Sequence, residues 1–102
     1  MIRWVKLTIR PENIQDFIAH FDTVKLRINA FPGCKGMKLL RNQNDPRILF
    51  TYSEWESNED LENYRKSELF GEVWPTVKEW FDEKAEAYSS DVYFDGFLNS
   101  SL

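Results

Sequence analysis

Between positions 2 and 10 the chain alternates. Ile2, Trp4, Lys6 and Thr8 share one side; Arg3, Val5, Leu7 and Ile9 share the other. Period two with β-branched residues predicts a strand. From Pro11 the period changes. Ile14, Phe17, Ile18, Phe21, Val24, Ile28 and Phe31 recur at helical spacing, one apolar stripe on a helix of about five turns. Pro11 suits the first turn of that helix, and Phe31-Pro32-Gly33 stops it. Residues 34–43 read as a second strand, Asn42 to Pro46 as a polar turn, and residues 47–55 as a third strand with bulk on both faces. Two strands joined by a short turn make a hairpin. Ser57 with Asp60 three residues on predicts a capped helix start, and that helix carries Leu61 and Tyr64 on one face. A further helix is expected from about 72 to 84, with Val73, Trp74, Val77, Trp80 and Phe81 inward. The last strand is expected over 86–97, and residues 98–102 as a frayed tail.

The order is βαββαβ, an α+β, ferredoxin-like split arrangement with an antiparallel sheet. A sheet covered by helices on one side should turn polar residues to the other. Here Trp4 opposes Val5, and Phe50 and Tyr52 oppose Leu49 and Trp55. Something therefore covers the second face. Sheet-to-sheet packing in a homodimer is the simplest cover, giving a dimeric α/β barrel.

Composition supports this. A length of 102 residues fits a single domain over 1–102. Eight Phe, four Trp and four Tyr are more aromatic surface than one small core easily hides. A ligand cavity or a subunit interface would absorb the excess; a packed monomer is the competing reading. The net charge is −4, with acidic and basic residues interspersed. No basic patch is interleaved with aromatics, so nucleic acid is not an expected partner. No apolar run reaches the roughly 20 residues of a membrane span, and the opening strand lacks a signal-peptide core. Neither a membrane partner nor export is expected, and the expected location is cytoplasmic. The lone Cys34 excludes an internal disulfide, and one Cys with one His argues against a metal site.

Candidate chemistry is sparse. No nucleophile–base motif and no Gly-rich phosphate loop occurs. The carboxylates from Glu54 to Glu62 read as a solvated helix start. His20 is the only residue of the type that titrates near neutral pH. Helical spacing sets it about 80° from the stripe's centre, where it rims a pocket or serves no special role. Phe17, Phe21, Trp55, Tyr64, Phe70 and Trp74 can converge between sheet and helices. They read either as core or as the walls of a cavity for a planar aromatic ligand.

The opening strand, the Phe31-Pro32-Gly33 turn, the strand ending Tyr52-Ser53-Glu54-Trp55, and Leu61, Tyr64-Arg65 and Ser67-Glu68-Leu69-Phe70 leading to Trp74 together resemble the antibiotic biosynthesis monooxygenase family. That family has the dimeric α/β-barrel fold and mixed functions. It includes cofactor-independent oxygenases of phenols or quinols, haem-degrading enzymes, and proteins without known activity. The haem-degrading branch uses an Asn, a Trp and a His at places that here hold Val5, Tyr64 and Trp74, so the resemblance supplies no iron ligand. It implies instead an oxygenase without cofactor, acting on a small aromatic molecule. In that reading Trp55, Trp74 and Phe21 wall the ring, with Phe17 and Phe70 beside them. Tyr64 and Tyr52 donate hydrogen bonds, and His20 accepts a proton. The alternative is a non-catalytic barrel that binds an aromatic ligand or acts as a stress-associated accessory protein.

Overall fold

The alternation at the start of the chain becomes the inner strand of a sheet. In the computed structural model, which describes residues 1–97, strand β1 runs Ile2–Ile9 and helix α1 runs Ile14–Asn29 after a short 3-10 turn at Pro11–Asn13. Strands β2 (Cys34–Arg41) and β3 (Ile48–Trp55) form the hairpin, followed by helices α2 (Asn58–Arg65) and α3 (Glu68–Lys78) and strand β4 (Phe81–Ser90). The sheet order is β2-β3-β1-β4, and every neighbouring pair is antiparallel. This is the ferredoxin-like α+β arrangement.

Local chemistry sets the boundaries. The hairpin loop closes on side chains: Asn42 Oδ1 accepts from the Asn44 and Asp45 amides at 2.8 and 2.9 Å. Arg47 then donates to Asp45 and Asp82 at 2.9 and 2.8 Å, tying the loop to β4. Ser57 Oγ accepts from the Asp60 amide at 3.1 Å and caps α2. Gly33 turns the chain out of α1 with φ of 87°, a conformation in which a side chain is strained.

Two expected boundaries differ. The helix expected over 72–84 runs 68–78, because Ser67 Oγ accepts from the Phe70 amide at 3.1 Å and caps it a turn earlier. The strand expected over 86–97 runs 81–90. Phe81 pairs with Ile9 and Ser90 with Ile2, so β1 offers no partner beyond that point. Tyr93, Phe94 and Phe97 follow as exposed residues outside any strand. The expectation of a frayed 98–102 tail falls outside the described residues.

Val5, Leu7 and Ile9 face the helices, where Leu7, Ile9, Phe17, Leu49 and Val77 form one buried cluster. Val24, Ile28 and Leu69 form a second. The core is thus divided. On the other face Trp4 meets Phe50 and Tyr52 edge-on, with centroids 6.5 and 6.2 Å apart. No helix of the described residues covers these rings; Trp4 and Leu40 are each 42% exposed and Tyr88 58%.

Candidate functional site

The two core clusters are separated by a cavity of about 280 Å³. Leu7, Phe17 and Val77 of one cluster and Val24 and Ile28 of the other both line it. Its floor is the inner face of the sheet, with Met37 as the contribution of β2, and its sides are the three helices.

One wall is a continuous row of rings. Trp55 at the end of β3 lies 5.3 Å from Tyr64 on α2, tilted by 30°. Tyr64 meets Phe70 edge-on at 5.2 Å and Phe70 stacks on Trp74 at 5.6 Å; behind the wall, outside the lining, Trp74 meets Phe81 edge-on at 5.5 Å. Phe17 and Phe21, one turn apart on α1, stack at 6.3 Å and face the cavity from the other side. Offset and edge-to-face pairs at these separations are the favourable geometries. Ser67 ties two members of the row together. Its hydroxyl donates to the Tyr64 carbonyl at 2.6 Å and accepts from the Phe70 amide.

The polar groups are few and placed. The indole of Trp55, 1% exposed, donates to Ser53 Oγ at 2.9 Å, which satisfies its polar edge inside the protein. Burial pushes the Tyr64 phenol up to about 12, so its hydroxyl keeps its proton and can donate a hydrogen bond. His20 lines the cavity with its ring edge-on to Trp80 at 5.9 Å. Among the described residues, its Nε2 is the buried side-chain polar atom without a hydrogen-bond partner. Such an orphan is uncommon and costly.

Of the residues singled out from sequence, the fold brings together Phe17, His20, Phe21, Trp55, Tyr64, Phe70 and Trp74 around one cavity. It does not bring Tyr52. That ring sits on the opposite face, paired with Trp4, because Tyr52 and Trp55 have opposite parity on β3. Sequence reasoning missed Arg3, Ser53 and Arg65, which also line the cavity. The signal for Arg3 was its parity with Val5 and Leu7; Arg65 follows Tyr64 and lies four residues from Leu61. Burial and the neighbouring Arg65 guanidinium push Arg3 below the usual arginine range, with Glu62 acting against them. Among the described residues no group of three or more His, Cys, Asp or Glu side chains is placed to hold a metal ion. No helix there is long and apolar enough to cross a membrane.

Residues 1–76 match the family model described as antibiotic biosynthesis monooxygenase. A conserved protein from Methanosarcina mazei Go1 superposes with a TM-score of 0.80 at 26% identity, over 85% of this chain and 87% of that one. A structure from Nitrosomonas europaea, described as a candidate antibiotic biosynthesis monooxygenase, superposes with a TM-score of 0.84. Its identity is 14%, over 91% of this chain and 98% of that one, a likeness of fold alone. A Haloarcula marismortui protein named as a candidate heme-binding protein is 34% identical over 66 residues, 65% of this chain. The match spans about 10% of that curated relative's length.

Proposed function

Since the chain belongs to the antibiotic biosynthesis monooxygenase family, we propose that it is a cofactor-independent monooxygenase of a small phenol- or quinol-type substrate bound in this cavity. The observation that carries the reading is an aromatic-walled hole with His20 in its lining, the imidazole of which has a buried nitrogen without a partner. An unfilled apolar volume costs roughly 24 cal/mol per Å³. For 280 Å³ that is on the order of 7 kcal/mol against a filled core, an upper bound because the mouth is open. It rivals the whole stability of a typical small domain, about 5–15 kcal/mol. A cavity near the low end of the ~300–1,000 Å³ range for ligand sites suits one or two fused rings.

The chemistry assigned to the chain is modest. Trp55, Trp74, Phe17, Phe21 and Phe70 hold the ring and exclude water. His20 Nε2 takes the phenolic proton, and the Tyr64 hydroxyl steadies the oxyanion left behind. The electron-rich ring then reduces O2, and a C–O bond forms as a hydroperoxide at a ring C–H carbon. Loss of water leaves a quinone carbonyl. One oxygen atom stays in the product, the other leaves as water, and the substrate supplies all four electrons.

The test is an oxygen-uptake screen with hydroquinones and polycyclic phenols, on the wild type and on His20→Gln. Turnover that His20→Gln abolishes supports the enzyme. Tryptophan quenching by the same phenols without oxygen uptake assigns a non-catalytic binder instead.

The Haloarcula relative's name raises haem as an occupant. The cavity does not suit it in the manner of the haem-degrading branch. Trp74, at the place where that branch has its histidine, is stacked on Phe70 and supplies no iron ligand. Haem added to the purified protein should give no sharp Soret shift.

We also propose that two copies pair through the outer sheet face. The exposed Trp4, Leu40 and Tyr88 beside Phe50 and Tyr52 support this; such a patch marks an association surface. Sedimentation should show a dimer that Trp4→Glu dissociates, and a monomeric wild type at micromolar concentration would refute it.

A further inference from the structure

The cavity's charge does not match that of the chain that builds it. The sequence carries 13 basic and 17 acidic residues, a net charge of −4. The cavity lining contains Arg3, Arg65 and His20 and, among the described residues, no Asp or Glu. Arg3 lies on the inner face of β1, two residues before Val5, and Arg65 is the last residue of α2. A strand and a helix thus place two arginines along the lining of one largely apolar hole, the Arg65 side chain itself half exposed. Each group is only partly used. Arg3 donates through Nη1 to Ser89 Oγ at 2.9 Å, and Arg65 through Nη1 to Glu62 Oε1 at 2.8 Å, leaving most of the five N–H donors of each guanidinium. Burial disfavours the Arg3 charge most, and the nearby Arg65 guanidinium adds to that penalty. Glu62 balances one positive charge of the two, from outside the lining. An anion bound between them would relieve the repulsion and pair with planar forks shaped for a carboxylate.

We propose that the cavity takes a planar aromatic ring bearing a carboxylate, with the ring between the aromatic walls and the carboxylate held by Arg3 and Arg65. This rests on the reading of the cavity as an aromatic-ligand site and deepens it. It does not depend on oxygen chemistry. Arg3 and Arg65 are then the residues that select an acid over the neutral ring of the same shape. The carboxylate end fixes which ring carbon is turned toward His20.

The experiment uses 2-naphthoate and 2-naphthamide, which share a ring system and differ in charge at neutral pH. Each is titrated against the full chain, with tryptophan fluorescence as the readout, at low salt and at about 0.5 M salt. Naphthoate should bind about tenfold more tightly at low salt, as expected for a charge-assisted pair. High salt should shrink that preference. Arg3→Gln and Arg65→Gln should each bring the two affinities within about threefold, with far-UV circular dichroism confirming the fold. Lys25→Gln, whose ammonium group pairs with Asp22 at 3.0 Å on the exposed side of α1, should change neither ligand. Equal affinities in the wild type, or a naphthoate preference that survives both arginine substitutions, overturn the inference. Binding of naphthamide with no preference for naphthoate refutes the charge inference and leaves the cavity reading standing. Failure of both ligands to bind refutes both. A naphthoate preference in a protein that consumes no oxygen with any phenol upholds the inference and refutes the oxygenase.

Discussion

Replacing His20 with leucine should make the protein more stable and less useful. The Nε2 of His20 is buried without a partner, and an unpaired buried polar atom costs about 1–3 kcal/mol. Leucine removes that cost. It also removes the edge-on contact of the imidazole with Trp80 at 5.9 Å, worth about 0.5–1.5 kcal/mol for a ring pair. The helix itself favours leucine over histidine by a few tenths. The balance runs from about zero to a gain of about 3 kcal/mol, and in a domain of this size each kcal/mol raises Tm by roughly 4–8 °C. His20→Gln serves as the control, because it keeps a polar group in the same place and should be no more stable than the wild type. Urea titration followed by tryptophan fluorescence gives both values, with a common slope showing that the unfolded states match. The binding and oxygen-uptake assays then report function, and both should fall in His20→Leu. A His20→Leu protein that is destabilised by more than about 1 kcal/mol would show that the imidazole is a satisfied packing element. Unchanged turnover would remove it from the chemistry.

Three other outcomes follow from the same geometry. With the Tyr64 phenol raised from 10.0 to about 12, the unfolded chain ionises first as pH rises. Stability attributable to Tyr64 is therefore fully present below pH 10 and is lost toward pH 12, by up to about 3 kcal/mol; Tyr64→Phe should flatten that limb of an alkaline stability curve. Gly33→Ala should cost about 2–4 kcal/mol in urea denaturation, since φ is 87° and an added Cβ would overlap the Asp60 side chain beside the α2 cap; a cost below about 0.5 kcal/mol would mean the turn relaxes freely. Trp74→Phe should weaken binding of an aromatic ligand while lowering Tm less than the 1–3 kcal/mol of a buried truncation would, because Trp74 faces the cavity and is only partly buried. Intact affinity with a large fall in Tm would make it a packing residue.

Much of this was legible in the chain. Alternation over residues 2–9 and the stripe from Ile14 to Ile28 gave β1 and α1 because each has one dominant period. Ser57 and Asp60 gave the start of α2 because capping is local. Where the chain is apolar on all sides, period alone was ambiguous. Trp80 and Phe81 continue the helical stripe of Val73 and Val77, yet they belong to the turn and to β4, since only the pairing of Phe81 with Ile9 decides between the two. The cavity walls were legible as a set, but whether rings touch or stand apart depends on distances between elements that no local pattern holds. Tyr52 was placed among them on its chemistry, against its own parity. Arg3 and Arg65 were passed over because charged residues usually face water; the parity of Arg3 pointed inward, but that a strand and a helix set both along one apolar hole is visible only in the assembled fold.

The strand order carries a consequence for how the molecule is made. β1 lies inside the sheet, between β3 and β4, and its partner on one side is the fourth strand in chain order. Ile2 pairs with Ser90, and the cavity's floor includes Ala85 and Ala87. A nascent chain can close the β2–β3 hairpin early, but β1 waits with one edge open until the chain has emerged as far as Ser90. Such distant pairing slows folding and leaves an apolar edge that another chain can occupy. The window in which this protein can swap strands or aggregate is therefore the interval before β4 docks.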